Sequence, residues 1–254
     1  MDKEAAGALD ALRAQHRDLS GILEALPPHG WQRPTRCDGW TVADVVLHLA
    51  QTDEMAMASL EGRVEGFLRD RVSDGSATTV DAGAAAMVER ERATGPEAIR
   101  QRWATAASKL DEMLAGRDPH DRVVWVAGEL SVRTLATTRL AEAWIHTGDV
   151  AGAVGAPVVM DDRLRHIARL AWRTLPYAFA RDGRRLAGPV AFFLQSPSGD
   201  EWAFEPDGEP ATTVRGAAVD LCLVAARRAE PAATSLVAGG PDGDAVLELV
   251  RTYA

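Results

Sequence analysis

A chain of 254 residues with 46% hydrophobic and 26% charged side chains is long enough to bury one large core or two smaller ones. Its formal net charge of −9 excludes the basic face that a binder of phosphate backbones needs. No apolar run approaches the roughly 20 residues that span a bilayer, and the acidic start does not read as a secretion signal. The expectation is a cytoplasmic protein that works on small molecules, with neither nucleic acid nor membrane as partner. Cys37 and Cys222 lie far apart and form no Cys-x-x-Cys, which suits two thiols in a reducing compartment.

In chain order, Leu9, Leu12, Leu19, Ile22, Leu23 and Leu26 fall at helical spacing and predict a helix over 3–26, stopped by Pro27-Pro28-His29-Gly30. The loop Trp31–Gly39 leads to a second helix start. Thr41 reads as N-cap with Asp44 at N3, and Trp40 as one half of a hydrophobic staple with Val45. This helix, expected to reach Leu60 or Arg69, carries His48. A polar loop, Ser73–Thr79, precedes a helical region over 81–114 that Gly95-Pro96 interrupts. Gly116–Gly128 reads as a connection containing the apolar run Val123–Val126. Ser131 then caps a helix over 132–154. Four helices with one long connection predict a bundle.

The pattern changes after Pro157. A helix over 161–180 is followed by a hairpin of 189–195 with 201–205, a helix over 216–229, a strand near 235–238 and a helix from Asp242. The expected fold class is therefore α+β in two domains, with a four-helix bundle over 1–157 and a small α+β domain over 158–254.

The chemistry concentrates on the helix over 132–154. Glu142 and His146 are four residues apart, so at about 100° per residue they share a face, with Asp149 beside them. Leu140, Trp144 and Ala151 make the opposite face apolar too, which predicts an interior helix. A carboxylate there is costly unless it is paired or coordinated. Two readings fit: a Glu–His hydrogen bond that stabilises the helix, or two ligands of a divalent cation with His48 as the third. His48 alone reads first as a satisfied core residue, and Asp44 one turn earlier as a partner that could orient its ring. Asp149 is expected first to orient His146 and second to contact substrate. Cys37 reads as a small packing residue. No Gly-x-Ser-x-Gly, P-loop or dinucleotide fingerprint is present.

Two signatures carry a family resemblance. The first is Trp31-x-x-Pro34-Thr35 followed by Gly39-Trp-Thr-Val-x-Asp44-x-x-x-His48-Leu. The second is Arg139-Leu-x-Glu142-x-Trp144-x-His146-x-x-Asp149-Val-Ala, with further matches at Arg163-Leu-Arg-His166 and Gly216-x-x-x-Asp220-x-Cys-Leu-Val. With these the chain resembles the DinB-like, mycothiol-dependent maleylpyruvate isomerase superfamily of actinobacteria, most closely a metal-binding subgroup. The resemblance implies a DinB-like bundle and His48, Glu142 and His146 as ligands of a divalent metal. Zinc is the first choice, with nickel, cobalt and iron as alternatives, and mycothiol is the implied thiol. It also implies an Arg of the second domain acting on an anionic substrate, matched best by Arg228 with Arg227 beside it. The residues themselves allow a blander role for both, as cations at a helix C-terminus.

Three functions follow from this reading. The first is a metal-dependent transferase or isomerase that activates a small thiol. The second is a thiol-independent hydrolase, lyase or cyclase, and the third a non-catalytic metal or ligand-binding module.

Overall fold

The computed structural model describes residues 3–71, 79–126 and 128–252, which fall into two compact units, Met1–Val158 and Val159–Ala254. The first unit is a DinB-like bundle of four long helices: α1 (Lys3–Glu24), α2 (Val42–Leu60), α5 (Pro96–Ala115) and α6 (Val132–Val154). Two shorter helices, α3 (Val64–Arg71) and α4 (Val80–Glu91), lie between α2 and α5. α2 packs on α5 and α6, while α1 packs on α6 and α5. Leu19 and Leu23 of α1 meet Val42, Val45, Val46 and Leu49 of α2, Ile99 and Trp103 of α5 and Val150 of α6 in one core. Each such aliphatic side chain stabilises the unit by roughly 1.5–3 kcal/mol when fully buried.

Local chemistry sets the helix ends. Pro96 opens α5 at its first turn, where a missing N–H costs nothing. Gly155 closes α6 in the left-handed region (φ 73°), and the Ala156 N–H returns to the Ala151 carbonyl. The helix that carries His48 stops at Leu60. Gly62, at φ 71°, turns the chain before α3 begins, so the sequence pattern reaching toward Arg69 belongs to two helices. Of the polar loop expected over Ser73–Thr79, only Thr79 lies among the described residues, and its side chain caps α4.

The connection over 116–128 holds structure that periodicity alone leaves out. Arg122–Trp125 (β1) pairs antiparallel with Gly128–Ser131 (β2). Val123 and Trp125 point inward, and the Ser59 hydroxyl of α2 donates to the Val124 carbonyl. Four residues are too short a run for alternation to declare a strand; the pairing with β2 and the contact with α2 decide it.

In the second unit the sheet order is β4-β3-β5-β6, from Val190–Gln195 (β3), Glu201–Phe204 (β4), Thr212–Ala217 (β5) and Val237–Gly239 (β6). β3 runs antiparallel to β4 and parallel to β5, and β5 antiparallel to β6. The helix expected over 161–180 is two helices, α7 (Leu164–Arg173) and α8 (Leu175–Arg181). Pro176 explains the break, because it has no N–H for the preceding turn and sits instead in the first turn of α8. The helix expected over 216–229 is likewise shorter, Ala218–Ala225 (α9), since Gly216 and Ala217 finish β5. α10 (Gly243–Leu249) ends the fold and packs on α8, β5 and β6. No helix among the described residues is long and apolar enough to cross a membrane.

Candidate metal centre

α2 starts where the sequence predicts it. The Asp44 carboxylate accepts from the Thr41 backbone N–H (2.8 Å) and hydroxyl (2.9 Å), and the Thr41 Oγ1 accepts from the Asp44 N–H (3.4 Å), a complete capping box. This occupies the carboxylate expected to orient His48. Its other oxygen faces the Arg92 Nε at 3.3 Å. His48 Nδ1, the atom that Asp44 would have held, is buried and finds no hydrogen-bond partner among the described residues. The Trp40 ring instead lies against the His48 imidazole, with centroids 5.1 Å apart.

α2 and α6 bring their polar groups to one point. Glu142 Oε1 stands 2.8 Å from His48 Nε2 and 3.4 Å from His146 Nε2, and the two imidazoles meet edge to face at 5.0 Å. Behind the ring, His146 Nδ1 is 2.9 Å from Asp149 Oδ2. Glu142 Oε2 faces the Arg139 guanidinium at 3.9 Å. His48, His146 and Asp149 are buried, and the Glu142 side chain is 18% exposed.

These atoms suit a divalent cation. The three donors lie within 4.8 Å of one another. Ligands about 2.0–2.2 Å from a tetrahedral metal stand roughly 3.3–3.5 Å from each other; the His146–Glu142 separation of 3.4 Å has that spacing, while His48 and Glu142, 2.8 Å apart, stand at hydrogen-bond distance. Two imidazoles and one carboxylate also leave a fourth position for an exogenous ligand. Asp149 on the far nitrogen of His146 stands where metal-bound histidines usually have a carboxylate or carbonyl partner.

Electrostatics follows the same geometry. Burial pushes the Glu142 carboxyl up, but hydrogen bonds to His146 and His48 and the nearby Arg139 charge outweigh it and hold it well below the usual range. Burial opposes a charge on His146, yet Asp149, Cys37 and Glu142 together raise its pKa well above the ordinary histidine value. Burial dominates at His48 and lowers its pKa.

Cys37 is more than the small packing residue that its sequence context suggests. Its Sγ donates to Asp149 Oδ2 at 3.2 Å and lies 3.9 Å from His146 Nδ1. A tight loop fixes it there: its N–H donates to Thr35 Oγ1, its carbonyl accepts from the Trp40 N–H, and the Thr35 hydroxyl donates to the Trp40 carbonyl. The only signal in the sequence is proximity to the capped start of α2.

A second polar group lies in the same bundle. His16 of α1 pairs with Asp111 of α5 at 3.4 Å. Asp53 of α2 is buried and feels His16, Arg139, Asp111 and Glu142; burial pushes its carboxyl up to about 6. Arg139 of α6 stands over the Trp125 ring at 5.2 Å.

Arg227 and Arg228 belong to the second unit, just past α9. Arg227 takes φ 59°, a left-handed position normally given to glycine. The Arg227 N–H returns to Val224 and the Arg228 N–H to Leu223, the pattern of a helix-terminating Schellman turn. The Arg228 Nη1 donates to the Ala226 carbonyl. Also in this unit, Arg163 makes a forked pair with Asp161 just before α7, the helix that carries His166.

Residues 12–151 match the family profile of the mycothiol maleylpyruvate isomerase N-terminal domain. An uncharacterized protein of Mycobacterium tuberculosis, found in two strains, is 32% identical over 246 residues, covering 96% of this chain and 93% of that protein. Crystal structures of the mycothiol-dependent maleylpyruvate isomerase and of a point mutant of it align with TM-scores of 0.63 and 0.61 at 17% identity. Each alignment covers 94% of this chain and 95% of the other, a likeness of fold.

Proposed function

The chain belongs to the mycothiol maleylpyruvate isomerase N-terminal domain family, and we propose that it is a metal-dependent enzyme that activates a small thiol, mycothiol, for transfer to or isomerisation of a small electrophilic, anionic substrate. One observation carries this reading: Glu142 Oε1 lies between the Nε2 atoms of His48 and His146, on two buried helices. A helix-stabilising Glu–His pair would need only α6. The convergence of a second imidazole from α2 favours coordination over a local hydrogen bond.

In this reading His48, Glu142 and His146 would hold the cation, with zinc as first choice and nickel, cobalt or iron as alternatives. Such an ion would supply the positive charge that lowers the pKa of a small thiol. With its proton on Nδ1, His146 donates a hydrogen bond to Asp149, which would leave Nε2 free to face the cation. Trp40 covers the His48 ring and limits its rotation. Arg228, with Arg227 beside it, is assigned the anionic group of the substrate, a role suited to a guanidinium.

The test is metal analysis followed by thiol binding. The purified chain should hold about one equivalent of divalent metal, and His48→Ala or Glu142→Ala should lose it. Mycothiol at millimolar concentration should then raise the melting temperature of the metal-loaded chain and leave His48→Ala unmoved. Metal retained in both variants overturns the three-ligand site. A metal-loaded chain that ignores thiols but turns over an electrophile points to the thiol-independent hydrolase, lyase or cyclase, and one that does neither to a binding module.

A further inference from the structure

His146 presents donors on both sides. Its Nε2 faces Glu142 and His48, while its Nδ1 faces a second set of atoms, Asp149 Oδ2 at 2.9 Å and Cys37 Sγ at 3.9 Å. Cys37 Sγ and Asp149 Oδ2 are themselves 3.2 Å apart, and all three donor atoms lie within 4.8 Å of one another. Edges of 2.9, 3.2 and 3.9 Å bracket the roughly 3.3–3.6 Å expected between oxygen, nitrogen and sulfur ligands of one tetrahedral ion. The loop bonds at Thr35 and Trp40 hold the Cys37 backbone in place, so the sulfur position is built into the fold. Asp149 and His146 are buried and Cys37 is half-buried, which leaves the sulfur side as the route of entry.

We propose that Cys37, His146 Nδ1 and Asp149 form a second cation position, for a thiophilic divalent ion such as cadmium or excess zinc, in competition with the His48–Glu142–His146 position. The donor set supports that class of ion: a thiolate and an imidazole select soft and borderline cations, where carboxylates alone would favour magnesium or calcium. Binding forms bonds from the ion to Sγ, Nδ1 and Oδ2. The Cys37 thiol proton leaves to solvent; the Nδ1 proton moves to Nε2 if the ring is neutral, and leaves to solvent if the ring is protonated on both nitrogens. A neutral imidazole has one lone pair to give, so an ion on Nδ1 leaves a protonated Nε2 that no longer serves the first position. One histidine thus arbitrates between two cations of different softness. The second position does not depend on the first being filled.

Cadmium titration of the metal-depleted full chain tests this, read by the ultraviolet charge-transfer band of a cadmium thiolate. The chain has only two cysteines, Cys37 and Cys222, and Cys222 is fully buried in α9 of the second unit. The band is expected in the parent, in Cys222→Ser and in Glu142→Ala, and is expected to vanish in Cys37→Ser. A parent without the band, or a band that survives Cys37→Ser, overturns the second position. Should Cys37→Ser not fold, a band lost from Cys222→Ser overturns it equally, because Cys37 is then the sole thiol. The two sites fail separately. Because the second position also takes zinc, the first is tested in a Cys37→Ser background: metal retained there by His48→Ala and Glu142→Ala removes the first position and leaves the cadmium band of the parent untouched.

Discussion

Two polar groups cross the same helical unit, and they satisfy their buried atoms differently. His48, Glu142, His146 and Asp149 come from two helices, and their donor atoms converge within hydrogen-bond or ligand distance. His16, Asp53, Asp111 and Arg139 come from four helices, and among the described residues His16 and Asp111 pair at 3.4 Å. His16 Nε2, Asp111 Oδ1 and Arg139 Nε and Nη1 find no partner among the described residues, whereas in the first group only His48 Nδ1 is left so. Unpaired buried polar atoms cost about 1–3 kcal/mol each unless water reaches them. The first group converges on one point, where the proposed cation would sit, and the second is a cost borne inside the bundle. Arg139 links them, facing Glu142 on one side and felt by Asp53 on the other.

The contrast can be broken most sharply at Glu142. Glu142→Gln should weaken divalent metal binding by more than about a hundredfold, beyond the 10–100-fold typical of an outer partner, as read by competition with a chromophoric chelator. Asp149→Asn, one shell out, should weaken it by about 10–100-fold and leave the stoichiometry of the first position at one. Equal effects from the two substitutions would dissolve the distinction between a ligand and its orienting partner.

The second group predicts a gain instead of a loss. Asp53 titrates near 6 in the folded chain against 3.8 as its ordinary value. Below pH 3.8 the carboxyl is protonated in both states and contributes nothing. Between the two values the unfolded chain has lost the proton while the folded chain keeps it, so stability falls as pH rises. Above about 6 the full penalty is present, roughly 2–3 kcal/mol. Asp53→Asn should therefore stabilise the chain by that amount at pH 8, with the gain fading to nothing by about pH 4, in urea melts across pH. A loss at pH 8 would mean that the ionised carboxylate is needed by Arg139. Thr41→Ala is the smallest effect. Removing the capping box of the helix that carries both His48 and Asp53 should cost about 1 kcal/mol of stability, with metal affinity nearly unchanged.

What the sequence determined by itself is local. The start of α2 at Thr41, the Pro96 start of α5, the Ser131 cap of α6 and the Glu142–His146 face all depend on residues within one or two turns. The order of a helical bundle followed by an α+β unit follows from the same periodicities, and the two signatures carried the family. Pro176 and Gly62 were readable signals too, but a continuous apolar pattern ran across both.

What the tertiary structure decided is pairing at distance. Thr212–Ala217 becomes a strand because it lies between β3 and β6, and the 122–131 hairpin because it folds against α2. His48 meets Glu142 across 94 positions and Cys37 meets Asp149 across 112. No periodicity encodes which of several polar residues on two buried helices will face each other. That choice is made when the helices pack and the register of α2 against α6 is set by the apolar side chains between them. The same packing set Arg92 against the other oxygen of Asp44, and brought the loop thiol of Cys37 to the far side of His146.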